Sequence, residues 1–147
     1  METSHLITIF TDGGARSNPG PAAIGAVIGD RGYKAYIGEA TNNFAEYQAV
    51  IFALKKAKQL LGKTKAKKTR VEIYGDSELL YKQARGEYKI MEPSLQPLFI
   101  EIWNLKQDFA DVHFNLVPRE KNKEADALVN EALDERAQDS NYHQLSG

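Results

Sequence analysis

Three short runs of alternating apolar residues stand in a row before the chain offers its first helical stripe, and every later strand is reached only through a helix. Leu6 to Thr11, Ala23 to Ile28 and Tyr33 to Ala40 read as strands. The turn residues Ser17-Asn18-Pro19-Gly20-Pro21 and Gly29-Asp30-Arg31-Gly32 join them, so the opening third predicts an antiparallel meander. The period then changes. From Tyr47, apolar residues recur at Val50, Ile51, Leu54, Ala57 and Leu61, a helix that Asn42 or Asn43 is placed to cap and Gly62 to end. Val71 to Gly75 is a fourth strand, followed by a helix from near Ser77 that carries Leu79, Leu80 and Ala84 and stops at Gly86, with Glu87 to Ile90 as a linker. Pro93 and Pro97 mark a further helix start, with Leu98, Ile102, Leu105 and Phe109 as its buried stripe and Trp103 at its edge. Val112 to Val117 is the fifth strand. Asn122 then caps a last helix with Ala125, Leu128, Val129, Ala132 and Leu133 on its apolar side. Such an order implies a mixed sheet with helices on it, because a strand joined through a helix to the next usually returns parallel to its neighbour.

With 147 residues, 42% of them hydrophobic, the chain can bury one core and is hardly long enough for two. One domain over residues 1–136 is expected, with the polar segment 137–147 as a flexible tail. A formal net charge of −1 excludes the global positive field that announces a nucleic-acid binder, so any such binding must be local. Eight basic residues and no acidic one lie between Lys55 and Arg70. They begin two turns beyond Glu46 and read as a solvated face, with an accessory phosphate track as the alternative. The absence of cysteine rules out disulfides and thiolate metal sites, leaving oxygen ligands and three histidines. Met1 to His5 is short and polar and no membrane-spanning run follows, so a cytoplasmic protein is the default expectation.

Four acids sit at element ends. Asp12 stands where the first strand gives out, ahead of Gly13 and Gly14, whose bare backbone allows a ligand close approach. Glu46 lies in the first turn of the first helix, on its inward stripe. Asp76 terminates the fourth strand, and Asp126 begins the last helix at the border of its buried face. If these converge at one end of the sheet they cannot all stay charged without cations, since mutual repulsion raises their pKa values. Oxygen-only ligation suits Mg²⁺, with Mn²⁺ as a possible substitute. Each acid also has a local reading, as cap, turn or surface charge.

Thr11-Asp12-Gly13-Gly14 with Asn18-Pro19-Gly20, Thr41-Asn42-Asn43-Phe44-Ala45-Glu46, Gly75-Asp76-Ser77 and Asn122-Lys123-Glu124-Ala125-Asp126-Ala127-Leu128 together resemble the type 1 ribonuclease H family. Glu46-Tyr47-Gln48-Ala49 and Gly86-Glu87-Tyr88-Lys89 look most like its compact bacterial and archaeal branch, and the similarity covers Leu6 to Arg136. The resemblance implies an α/β fold: a ribonuclease H-like five-stranded mixed sheet in the order 3-2-1-4-5, its first three strands antiparallel, with helices on both faces. It implies an endonuclease hydrolysing the RNA strand of an RNA/DNA hybrid to 5′-phosphate and 3′-hydroxyl ends, acting as a monomer without a membrane. Asp12, Glu46, Asp76 and Asp126 would be the catalytic residues and hold two ions in the substrate complex, one activating water and the other stabilising the departing 3′-oxygen. Gly13, Gly14, Asn18, Asn42 and Asn43 would contact nucleic acid, Glu46 and the glycine backbone would read the 2′-hydroxyl, and Thr41 would meet a DNA-strand phosphate.

Three departures from that pattern matter. Many relatives carry a histidine in the loop before the final aspartate, whereas this loop is Arg119-Glu120-Lys121-Asn122-Lys123. His143, in the expected tail, reads as free in solvent, and His113, inside a strand, as a packing residue. Glu39 stands where well-known members place a basic residue beside the DNA-phosphate pocket, and the stretch from Lys82 to Pro97 is too short and too poor in lysine for a basic protruding helix. Weaker hybrid affinity and some cleavage of double-stranded RNA are expected to follow. A catalytically silent nucleic-acid-binding module and a DNA resolvase or transposase are the competing readings.

Overall fold

The computed structural model describes residues 5–146, with side chains as far as residue 138. Strands β1 (His5–Ala15), β2 (Gly20–Ile28), β3 (Arg31–Ala40), β4 (Thr69–Gly75) and β5 (Asp111–Leu116) form one sheet in the order β3-β2-β1-β4-β5. Pairing of β1 with β2 and of β2 with β3 is antiparallel, and pairing of β1 with β4 and of β4 with β5 is parallel. The helices are α1 (Asn42–Leu61), α2 (Lys63–Lys67), α3 (Glu78–Ala84), α4 (Gln96–Lys106) and α5 (Lys123–Ser146). The expected order and strand directions are those observed. The short α2 was not anticipated, because Gly62 does end α1 but the following lysine-rich run has only Ala66 to bury.

Helices cover both faces, and two glycines show which helix lies where. Asp12 pairs with Gly25 and Gly13 with Ile24, so Gly13 and Gly25 face opposite sides of the pleat. A Cβ on Gly13 would run into the backbone of Ala45 and Glu46 in α1, while one on Gly25 would lie 2.5 Å from the Ala125 carbonyl in α5. On the α1 side, Ile9, Ile28, Ile73, Tyr47, Val50, Leu54, Leu80 and Ile102 join in the main core, which brings in α3 and α4. Beneath α5, Ala23 packs with Val129, Ala132 and Leu133.

Several expectations change. Strand β1 does not end at Thr11: its ladder with β2 continues through Gly13, Gly14 and Ala15, with Gly13 permitting close packing of α1 instead of a turn. Pro93 precedes helix α4, whose first turn holds Pro97, and Phe109 is buried beyond its end. His113 is not a packing residue. Val112 and Phe114 take the inward positions of β5, and the His113 ring lies between Glu72 Oε2 at 3.0 Å and Asp111 Oδ2 at 2.6 Å. The basic run is a solvated face as expected, and two of its lysines also make surface ion pairs, Lys55 with Glu101 on α4 at 3.3 Å and Lys58 with Asp108 just beyond it at 3.2 Å. The segment expected to be a tail continues α5 to Ser146, with no glycine or proline to stop it before Gly147. The side chain of His143 lies outside the described residues, as do Met1 to Ser4. Among the described residues, no helix is long and apolar enough to cross a membrane.

Candidate metal centre

Parallel pairing of β1 with β4 stops at Phe10 and Tyr74, and the two strands separate just before Asp12 and Asp76. Helix α1 starts beside this gap. Thr41 caps it, its Oγ1 accepting from the Phe44 amide at 3.2 Å, and one turn later Glu46 turns inward. The carboxylate oxygens of Asp12, Glu46 and Asp76 come within 4.8 Å of one another. Asp126, on the first turn of α5, adjoins this trio through Asp12 and lines the same open cleft of about 350 Å³.

Electrostatics make the cluster unstable as four anions. Burial, with further repulsion from Asp76 and Asp126, pushes the Asp12 carboxyl up to about 7 even though the adjoining Glu46 carboxyl opposes the rise. Burial and the Asp12 charge hold Glu46 well above the usual carboxylate range. Burial also raises Asp76, against the pull of the Arg119 guanidinium and of the nearby Asn122 amide. The Gly13 amide donates to Glu46 Oε1 at 3.3 Å, whereas Glu46 Oε2 is buried with no partner. An orphaned carboxylate oxygen among crowded oxygen donors is the environment a hard divalent cation satisfies.

The expected substrate residues ring this cleft with unequal freedom. Gly13, Gly14, Asn42 and Asn43 line it. Asn18 and Asn42 are used in holding two loops together: Asn18 Oδ1 accepts from the Asn42 amide at 2.9 Å, and Asn42 Oδ1 accepts from the Ala15 amide at 2.8 Å. Thr41 spends its hydroxyl on the helix cap. Asn43 is exposed.

Two residues at the site escaped the sequence reading. Asn122, expected as a helix cap, is buried and sends Nδ2 to the Thr11 carbonyl at 2.8 Å. Tyr81, fully buried on α3, shares a 2.9 Å hydrogen bond with Thr11 Oγ1. The only signal for Tyr81 was a polar-tipped residue following Leu79 and Leu80 on an otherwise apolar helix face.

Comparison with known proteins extends this picture. Residues 10–132 match the family model described as reverse transcriptase-like. The chain is 42% identical over 132 residues to ribonuclease HI of Halobacterium salinarum, an alignment spanning 86% of this chain and 63% of that protein. It is 38% identical over 139 residues to a bifunctional protein of Mycobacterium tuberculosis, covering 90% of this chain but only 36% of the relative. These curated relatives are thus longer than the part the chain matches. Among solved structures, LC11-RNase H1 in complex with an RNA/DNA hybrid superposes with a TM-score of 0.84 at 46% identity, covering 89% of this chain and 99% of that one.

Proposed function

The chain belongs to the ribonuclease H-like family, of the bacterial and archaeal type 1 kind, and from that membership we propose that it is a divalent-metal-dependent endonuclease cutting the RNA strand of RNA/DNA hybrids. The observation that carries this reading is the Asp12, Glu46 and Asp76 trio within 4.8 Å, with Glu46 Oε2 left unpartnered. Asp126 serves as the fourth acid, on the cleft wall supplied by α5.

These side chains would hold Mg²⁺, or Mn²⁺ in its place, as two ions in the substrate complex. When bound, such cations supply the positive charge that makes water nucleophilic near neutral pH and stabilises the departing 3′-oxygen, which leaves a 5′-phosphate and a 3′-hydroxyl. The protein's own part is placement. Gly13 and Gly14 present bare backbone at the cleft, so an RNA strand can bring its 2′-hydroxyl beside Glu46. The Asn18–Asn42 brace fixes the loop and helix start that frame the cleft, and exposed Asn43 is free to meet nucleic acid. Thr41, although engaged as a cap, stands at the position for a DNA-strand phosphate. Arg119 lines the cleft next to Asp76, the one cation of its histidine-free loop to do so among the described residues. The same reading takes residues 1–136 as the catalytic unit, acting as a cytoplasmic monomer.

A second, broader specificity has its own support. Glu39 is exposed on β3, and the 85–95 connection between α3 and α4 forms no helix. An acid where DNA phosphate is expected and no basic protrusion both weaken the demand for a DNA strand, which favours some cleavage of double-stranded RNA. Labelled hybrid, RNA duplex and DNA duplex, each incubated with and without Mg²⁺ and analysed for end chemistry, test both readings. Hybrid cleavage that needs metal and disappears in Asp76→Asn is expected. Binding without metal-dependent cleavage would make the chain a silent nucleic-acid-binding module, and cleavage of DNA alone would move it to another nuclease class.

A further inference from the structure

We infer that Tyr81 and Asn122 are positioning residues that clamp Thr11 from two sides and thereby set the separation of Asp12 from Asp76. This rests on the metal-dependent reading above and concerns how the carboxylates are held before any cation arrives.

The need for such a clamp follows from the sheet. The β1–β4 ladder ends at Phe10 and Tyr74, so no strand-to-strand hydrogen bond between β1 and β4 sets the distance between the residues that follow. Yet Asp12 and Asp76 lie two residues past that last pair and must keep their oxygens within a few ångströms. Thr11 follows the last paired residue, and its hydroxyl and its carbonyl are both taken by side chains from elsewhere. Its hydroxyl meets Tyr81 Oη at 2.9 Å, and its carbonyl accepts from Asn122 Nδ2 at 2.8 Å. Thr11 and Tyr81 are fully buried and Asn122 is 1% exposed, so water does not compete for these bonds.

Each clamp residue also touches the other strand. A Cβ on Gly75 would sit 2.5 Å from Tyr81 Cε1 and Oη, so the ring lies flush against the backbone of β4 immediately before Asp76. The far side of that ring is fixed by an edge-on contact with Phe114 at 5.7 Å. Asn122 in turn lies near enough to Asp76 to offset part of the rise that burial imposes on its carboxyl. Tyr81 thus bridges Thr11 to Gly75, and Asn122 holds the Thr11 carbonyl from the side of Asp76. Two side chains from α3 and from the loop before α5 replace the missing rung.

Such outer contacts act on a site through the ligands they orient, and their loss commonly costs 10–100-fold in metal affinity or activity. The decisive experiment is a double-mutant cycle on Tyr81→Phe and Thr11→Val, read by thermal melting, by Mn²⁺ calorimetry on the protein alone, and by kcat and KM on a hybrid. Each single variant leaves one buried hydroxyl unpaired, so Tm falls in both and largely recovers in the double variant, where neither hydroxyl remains. Metal affinity follows another pattern: it drops about 10–100-fold in either single variant and stays down in the double, because the tether is absent in all three. On hybrid, kcat falls with KM held. Metal affinity that recovers along with Tm, or that never changes, would show the bond to be structural only and overturn the clamp. If the natural chain binds Mn²⁺ but cleaves nothing, the proposed function falls while calorimetry still reads the clamp; if it binds no Mn²⁺ at any concentration tried, both fall.

Discussion

The Gly13 amide reaches Glu46 Oε1 at 3.3 Å, and the hydrogen-only side of Gly13 faces the Ala45 and Glu46 backbone with no room for a carbon atom. A strand residue and a helix residue 33 positions apart are therefore seated on each other at the centre of the site. Gly13→Ala would force α1 outward and carry Glu46 with it. Overpacking of this kind costs about 1–3 kcal/mol, roughly 2–12 °C in Tm for a domain of this size. Metal-dependent cleavage should fall further than the lost stability explains. A scan of Tm beside hybrid cleavage checks this, and an alanine variant with unaltered Tm would contradict the packing described.

Stability without metal should decline as pH rises. Asp12 moves from an ordinary 3.8 to about 7 on folding, and Glu46 also moves up. Both carboxyls hold protons more tightly folded than unfolded, so their contribution is fully present below about pH 4 and is lost as pH climbs through about 7. Divalent cations reverse the penalty by pairing with the ionised forms, in competition with protons. The Tm gained on adding Mg²⁺ should therefore be larger at pH 8 than at pH 5. Equal gains at the two pH values in thermal melts would rule out the acid cluster as the binding site.

The four acids should not be equivalent. Asp12, Glu46 and Asp76 form the mutually close trio, whereas Asp126 joins it from the cleft wall. Removing charge from the trio gives up several kcal/mol of transition-state stabilisation, about 10³-fold in rate or more. Asp76→Asn and Glu46→Gln should thus reach background, while Asp126→Asn keeps measurable turnover at raised metal concentration. Initial rates across a Mg²⁺ or Mn²⁺ titration separate these outcomes. Full activity in Asp76→Asn would count decisively against the assignment.

Glu39 offers a gain-of-function test. It is exposed on β3, so exchanging its charge disturbs no core. Glu39→Lys replaces repulsion of a nearby phosphate by attraction, which should lower KM for hybrid a few-fold at low salt and raise the preference for hybrid over RNA duplex. Rates on the two substrates at two ionic strengths provide the measurement. An effect independent of salt would mean that Glu39 acts other than through phosphate.

Much of this molecule is written in local pattern. Alternation in β1 to β5, the stripe on α1, the stop at Gly62 and the helix start near Ser77 all depend on residues a few positions apart, the range over which backbone preference and amphipathic period act, although the cap of α1 is Thr41 and not the expected Asn42 or Asn43. The acids were legible too, because Glu46, Asp76 and Asp126 each stand near such a boundary and Asp12 precedes a glycine pair, although β1 runs on past it to Ala15. What the chain alone could not disclose are the relations of long reach. Asn122 looks like a cap until the Thr11 carbonyl, 111 residues away, is seen to take its amide. Tyr81 looks like a core aromatic until β1 and β4 part in front of it, and Gly13 looks like a turn until α1 settles against it. Local sequence determined which segments are strand or helix and where the charges fall along them. Only tertiary structure decided which carboxylates share a pocket and which oxygen is left without a partner, because burial, repulsion and close contact are properties of distance in space, and no spacing along the chain encodes them directly.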